Sequence, residues 1–378
     1  MAVIHVIGAG LAGSEAAYQL AKRGFSVILH EMKPYKKSPA HQSDDFAELV
    51  CSNSFRSQSV RNAAGLLKDE LKILDSLIMQ AAEATAVPAG GALAVDRKRF
   101  SAYVTDALKT TENIKIVHEE VTSFPNKNTI IATGPLTSEA LFEAIKEKTG
   151  EYMAYFFDAV APIIDVDSID MDMAYYKNRY DKEGGMYINC PMDEETYNLW
   201  YDALIHAETV QPKDFEMKVF EGCMPVEEIA ARGKQTLLFG PMKPVGLETS
   251  DGKRPHAVVQ LRQDNIGKTL YNMVGFQTHL TFPEQRRIIR MIPGLENAKI
   301  VRYGVMHRNA FIKAPKLLDE TYMLKDMDNI YVAGQLSGVE GYVESVGSGI
   351  VAAINMARRL KGKEPIVFQR ETMLGAEA

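Results

Sequence analysis

Two of the chain's three cysteines stand where a thiol could react. Cys51 opens the polar run Cys-Ser-Asn-Ser-Phe-Arg56 ahead of a helical stretch, with Arg56 and Arg61 close in sequence. Cys223 follows Gly222 and precedes Pro225, a setting that predicts a turn rather than a core strand. A free thiol ionises near pH ~8.5, and neighbouring cations or a helix terminus help it form the nucleophilic thiolate at neutral pH. The alternative is that both are small buried hydrophobes. Cys190, in Tyr187-Ile-Asn-Cys-Pro191, reads as structural. Three scattered cysteines without a C-x-x-C supply neither a disulfide framework nor a thiolate zinc site, so metal is not expected.

A second set of residues suits a nucleotide. In Gly8-Ala-Gly10-Leu11-Ala12-Gly13, the first glycine permits a tight turn and the second lets backbone amides approach a pyrophosphate. The third lets the following helix sit close to the strand. The helix N-terminus then offers unpaired N–H groups to the diphosphate. Glu31 stands where an acid is expected to meet a ribose hydroxyl. Lying between a strand and a helix, with that acid at the end of the next strand, the motif is specific. It does not by itself separate NAD from FAD. The strand ending Ala132-Thr133-Gly134 resembles the second motif of split-domain flavoproteins, and Ala333-Gly334-Gln335-x-x-Gly-x-Glu340-Gly341 resembles the third. Together they point to FAD.

These residues need a scaffold. At 378 residues, 46% apolar and 24% charged, the chain has material for a packed core and two or three domains. Val3–Ile7, a helix from Ser14 to Arg23 and Val27–Leu29 form one β-α-β unit. Leu67, Leu71, Leu74 and Ile78 predict one long helix over 60–84, and Asp96 to Leu108 another. Strands follow at 114–117 and 129–132. From about 150 the texture shifts to short strands and turns, and the α/β pattern returns at 329–334 before a helix over 347–360. The expected fold class is α/β: a Rossmann-like FAD-binding domain split between residues 1–150 and 318–378, with an inserted α+β domain at 151–317. No apolar run reaches the ~18 residues of a membrane span. The N-terminus lacks a signal peptide's basic start and cleavage site. Both features predict a cytoplasmic protein with no membrane partner.

Longer motifs carry a family resemblance. Residues 8–17 and Gly334-Gln-Leu-Ser-Gly-Val-Glu-Gly-Tyr-Val-Glu344 resemble the GidA-related flavoproteins of tRNA modification. Ala47–Ser54, Val87–Arg97, Phe220–Pro225, Phe239–Gly246, Gln260-Leu-Arg-Gln-Asp264 and Arg302–Asn309 narrow this to the folate- and FAD-dependent tRNA (uracil-5-)-methyltransferase family. The likeness runs from residue 1 to about 373. Family members continue past Glu371-Thr372 for several tens of residues, whereas this chain stops at Ala378.

The resemblance implies a reaction and its partners. Methylenetetrahydrofolate gives the carbon, reduced FAD the electrons, and NAD(P)H restores the flavin; the product is 5-methyluridine in the T-loop of tRNA. It implies roles for both Cys51 and Cys223, with Cys223 expected to attack uracil C6 and Cys51 to sit beside the flavin. It implies that His307 stacks on the folate pterin and makes Arg97 a cofactor or folate contact. Between 285 and 316 the basic residues include Arg286, Arg287, Arg290, Arg302 and Arg308, against the single acid Glu296. In a chain of net charge −6, that stretch suggests a local RNA-facing surface. The same chemistry on ribosomal RNA, or a flavin NAD(P)H oxidoreductase without RNA substrate, are the competing expectations.

Overall fold

The computed structural model describes residues 2–377 apart from 39, 151–152, 180–186, 211–223 and 250. At 153–158 and at 307–308 it describes the backbone alone. Residues from both ends of the chain build one six-stranded sheet. Its order is Met323–Leu324, Met327–Val332, Thr129–Ile131, β1 (Val3–Ile7), β2 (Ser26–Glu31) and Ile114–His118. All pairings except that of the edge strand Met323–Leu324 are parallel. Parallel strands covered on both faces read as near-continuous apolar runs, and Val-Ile-His-Val-Ile and Thr-Ile-Ile are such runs.

The helix α1 (Leu11–Lys22) crosses from β1 to β2 and packs along the C-terminal helix Tyr342–Leu360, which buries nearly its whole middle. The C-terminal helix therefore begins five residues before the expected 347. The helix expected over 60–84 is two, Ala63–Ile73 and Leu77–Ala84. Asp75 takes a positive φ of 57° between them, and the Ser76 side chain caps the second helix at Met79 N–H. The buried Glu15 carboxylate explains the break. It accepts from Ser76 Oγ at 2.7 Å and from Ile78 N–H at 3.0 Å, which satisfies donors at that helix start.

A second sheet, of order Tyr175–Lys177, Tyr187–Met192, Ala257–Gln263, Leu270–Met273, Ile163–Asp165 and Ile300–Arg302, is antiparallel throughout. It has its own apolar core around Trp200, Tyr197 and Leu261, separate from the core of the parallel sheet. Cys190 sits in this core opposite Val259, fully buried, and burial pushes its thiol up to about 12. Such a thiol stays protonated and packs as a small hydrophobe. The antiparallel ladder Met153–Ala159 with Met306–Ile312 joins the two parts of the chain. Among the described residues no helix is long and apolar enough to cross a membrane.

Candidate functional site

Where β1 passes into α1, two positions leave no room for a side chain. Gly8 adopts φ +95°, and a Cβ on Gly13 would stand 1.8 Å from the Gly8 carbonyl oxygen. Glu31, at the end of β2, turns its carboxylate back to this turn. It accepts the Ala9 N–H at 2.9 Å and the Lys33 N–H at 3.0 Å. The N-terminus of α1 opens onto a groove of about 1080 Å³. Gly8, Gly10, Leu11, Ala12 and Glu31 line one side of it, Thr133 and Gly134 another, and Gly334 and Gln335 a third. Gly10 has open space where its Cβ would be. A long groove, a bare helix N-terminus, an acid at the end of the second strand and a missing Cβ facing the opening together fit a dinucleotide diphosphate.

Gln335 and Tyr342 line a second cleft as well, of about 930 Å³, together with Cys51, Ser52, Arg262 and Gln277. Glu340 and Gly341 border this cleft rather than the groove. The half-buried Cys51 and the groove at the start of α1 thus adjoin, divided by two shared residues. Tyr342 begins the C-terminal helix, and its hydroxyl accepts the Cys51 and Ser52 N–H groups at 3.0 and 3.1 Å.

Three arginines from different elements hold the segment 49–53. Arg97 Nη1 donates to the Leu49 carbonyl at 2.6 Å and Nη2 to that of Cys51 at 3.2 Å, while Nε bonds both Asp264 oxygens. Arg302 donates to the Val50 carbonyl at 3.0 Å. Arg262 reaches Ser52 Oγ at 2.7 Å and Asn53 Oδ1 at 3.2 Å. Five successive residues thus have a guanidinium partner, two of those guanidiniums coming from the antiparallel sheet. Burial pushes Arg262 and Arg302 below the usual guanidinium range, the consequence of drawing charge out of water.

Some expected residues are placed differently. Arg97 and Arg302 face inward onto the Cys51 segment, so Arg302 is not part of an exposed basic surface. Arg286, Arg287 and Arg290 are exposed at the helix Phe282–Ile289 and its C-cap, where Arg287 pairs with Glu284 and Arg286 donates to the Tyr303 hydroxyl. His307 and Arg308 lie on the strand Met306–Ile312, and their side chains are outside the described residues, as is Cys223 altogether. The described chain resumes at Met224, and the Val226 N–H donates to the Gln277 carbonyl at 2.7 Å, beside the Cys51 cleft. Sequence reasoning missed Tyr342, Arg262 and Asp264 as site residues. Arg262 and Asp264 are two apart at the end of one strand, and that spacing puts their side chains on one face. Among the described residues no group of three metal-ligating side chains occurs.

Known proteins resemble this chain in sequence and in fold. The family model described as glucose inhibited division protein A matches residues 3–364. The methylenetetrahydrofolate–tRNA-(uracil-5-)-methyltransferase of Bacillus licheniformis is 60% identical over 377 residues, which is 99% of this chain and 87% of that protein. That of Staphylococcus carnosus is 60% identical over 378 residues, covering 100% and 87%. The solved structure of Aquifex aeolicus GidA superposes on the whole chain with a TM-score of 0.76 at 20% identity, and the chain spans 66% of it. That likeness supports the fold alone.

Proposed function

The chain belongs to the glucose inhibited division protein A family, and within it to the methylenetetrahydrofolate–tRNA-(uracil-5-)-methyltransferases; from that premise we propose that it methylates C5 of a uridine in tRNA, the T-loop uridine, giving 5-methyluridine. The observation that carries the reading is the cleft of Cys51 opening beside the nucleotide groove across Gln335 and Tyr342. FAD held in that groove would supply the electrons that turn the transferred methylene into a methyl group, with NAD(P)H as the reductant that restores them.

The chain's own residues meet the rest of the chemistry. Uracil C5 is a poor nucleophile until a thiolate adds to C6 and makes the ring an enolate, after which C5 attacks the methylene of methylenetetrahydrofolate. We assign the addition to Cys223 and the place beside the flavin to Cys51. The anchoring of Val226 on Gln277 supports this pairing, because Gln277 borders the Cys51 cleft. Gly8, Gly10 and Gly13 admit the diphosphate, Glu31 meets the ribose, and Thr133, Gly134, Gly334 and Gln335 border the rest of the dinucleotide. His307 is assigned to the folate pterin. The enzyme would work in the cytoplasm.

The test is direct. Purified protein with unmodified tRNA, methylenetetrahydrofolate, FAD and NAD(P)H is expected to form 5-methyluridine in tRNA, and ribosomal RNA fragments to stay unmodified. Sustained NAD(P)H oxidation without modified RNA would replace this reading with a plain flavin oxidoreductase.

A further inference from the structure

Arg262 differs from the other two arginines on the Cys51 segment. It alone of the three lines the Cys51 cleft. Asp264, just past the end of its strand, is engaged by Arg97 at 3.0 Å. Among the described residues Arg262 itself has no ion pair, and its bonded partners are the Ser52 hydroxyl, the Asn53 amide oxygen and the Tyr187 hydroxyl, all neutral. Desolvation is the leading effect on its guanidinium, reinforced by the charge of Arg97 and opposed by Tyr187 and Asp264. A cation drawn out of water with only neutral direct partners is unfavourable unless an anion completes it. The Arg262 side of the cleft is therefore poised for negative charge, in a lining that also holds Glu340 and the Arg56–Glu344 pair, although neither uracil nor the thiol's ground state requires a permanent anion there.

The proposed reaction supplies one transiently. As the thiolate sulfur bonds C6, the C5=C6 electron pair shifts toward C4 and the C4 carbonyl becomes an enolate with its charge on O4. No external electron enters or leaves in this step. When C5 attacks the methylene the C4 carbonyl re-forms, and later loss of the C5 proton and cleavage of the sulfur–C6 bond restore the ring. We propose that Arg262 is a catalytic residue that donates to O4 of the uracil ring and stabilises the enolate. Its bonds to Ser52 and Asn53 hold it in place beforehand, and a fixed donor aimed at developing charge needs no reorganisation during the reaction.

This inference rests on the methyl-transfer reading, and the experiment separates the two. A T-arm RNA carrying 5-fluorouridine at the target position traps the thiolate adduct, which is followed on a denaturing gel. Wild-type protein that yields neither adduct nor 5-methyluridine ends the underlying reading. With the wild type active, R262M is expected to slow adduct formation by about 100-fold or more, the usual scale for a lost oxyanion donor. R262K, which keeps the charge on another geometry, should fall between. FAD content and RNA affinity should stay near wild type in both. Equal losses in R262K and R262M, or an R262M rate within about threefold of wild type, overturn the proposal. So does a changed flavin reduction potential with an unchanged adduct rate, which would assign the charge to the cofactor. Should R262M lack FAD, R262K decides alone: a wild-type adduct rate at wild-type FAD content overturns it.

Discussion

The hydroxyl of Tyr342 accepts hydrogen bonds from the backbone N–H groups of Cys51 and Ser52, residues about 290 positions earlier in the chain. One phenol at a helix start thereby fixes the thiol-bearing segment against the sheet formed by both chain ends. Burial pushes the phenol up, so it remains neutral and its oxygen stays an acceptor with its own proton in place. Tyr342→Phe removes the acceptor and strands two N–H groups, each costing about 1–3 kcal/mol when left unsatisfied in the interior. The variant should melt at lower temperature. Its methylation rate per bound FAD should also fall, because Cys51 loses its tether. A rate per FAD equal to wild type would show that the tether does not position the thiol.

The glycine fingerprint makes a paired prediction. A Cβ at Gly13 would meet the Gly8 carbonyl oxygen at 1.8 Å, so Gly13→Ala forces the helix off the turn and should lower stability and FAD content together. A Cβ at Gly10 meets nothing within 4 Å. Gly10→Ala should therefore keep the wild-type melting temperature of the FAD-free protein and weaken FAD alone, because the methyl enters space meant for the diphosphate. Fluorescence titration with FAD on both apo-variants checks this. An unaltered FAD affinity in Gly10→Ala would mean that the ligand does not approach this backbone.

The β-α-β start is legible in sequence because Gly8, Gly10, Gly13 and Glu31 must each meet a local backbone requirement, and such requirements leave residue types fixed at fixed spacing. The break at Asp75 is not. Leu67, Leu71, Leu74 and Ile78 keep one helical period across it, and the cause is Glu15, far away in sequence, capping the second helix. The family resemblance points Arg97 to a cofactor or folate, and the basic stretch points Arg302 to RNA. Within the chain both donate to carbonyls of the Cys51 segment, and a carbonyl partner leaves no signature in residue identity. Arg262 and Asp264 belong to a motif that carries the family resemblance, but only the register of the strand Ala257–Gln263 brings Arg262 to the cleft and Asp264 to Arg97.

Glu227 links the second core to pH. Its buried carboxylate accepts from Thr278 Oγ1 and from the His279 N–H, and burial, helped by the nearby Glu228, pushes its pKa to about 7 against these hydrogen bonds, which lower it. The His279 ring lies 3.4 Å from both glutamates, and burial pushes it down. Below about pH 4.5, Glu227 is protonated in both folded and unfolded chains. Between about 4.5 and 7 the folded state holds a proton that the unfolded state has lost, so the stability this proton provides declines as pH rises through that window, by up to about 3 kcal/mol. His279 works in the opposite sense toward acid, because the unfolded chain takes up its proton first. Glu227→Gln should flatten the loss of stability between pH 5 and 7 in urea unfolding, and matching slopes in both proteins would sink the assignment.

The exposed arginines at the end of the helix Phe282–Ile289 give a prediction about RNA. Arg286 and Arg287 are solvent-facing, yet each has a partner of its own, the Tyr303 hydroxyl and the Glu284 carboxylate. An arginine serving phosphate must therefore exchange that partner or share it, and a neutral hydroxyl is released more readily than a carboxylate. Arg286 should accordingly contribute more to tRNA affinity than Arg287. Removing one arginine–phosphate pair lowers the salt slope of binding by roughly 0.7 to 0.9, since one fewer counterion is released. Arg286→Ala should reduce both affinity and slope by about that single increment, while 5-fluorouridine trapping at saturating RNA stays unchanged. Arg287→Ala should change the slope less, because Glu284 already neutralises part of its charge. Binding isotherms between about 50 and 200 mM salt resolve the difference. Identical slopes for wild type and both variants would place the phosphate-facing surface elsewhere on the protein.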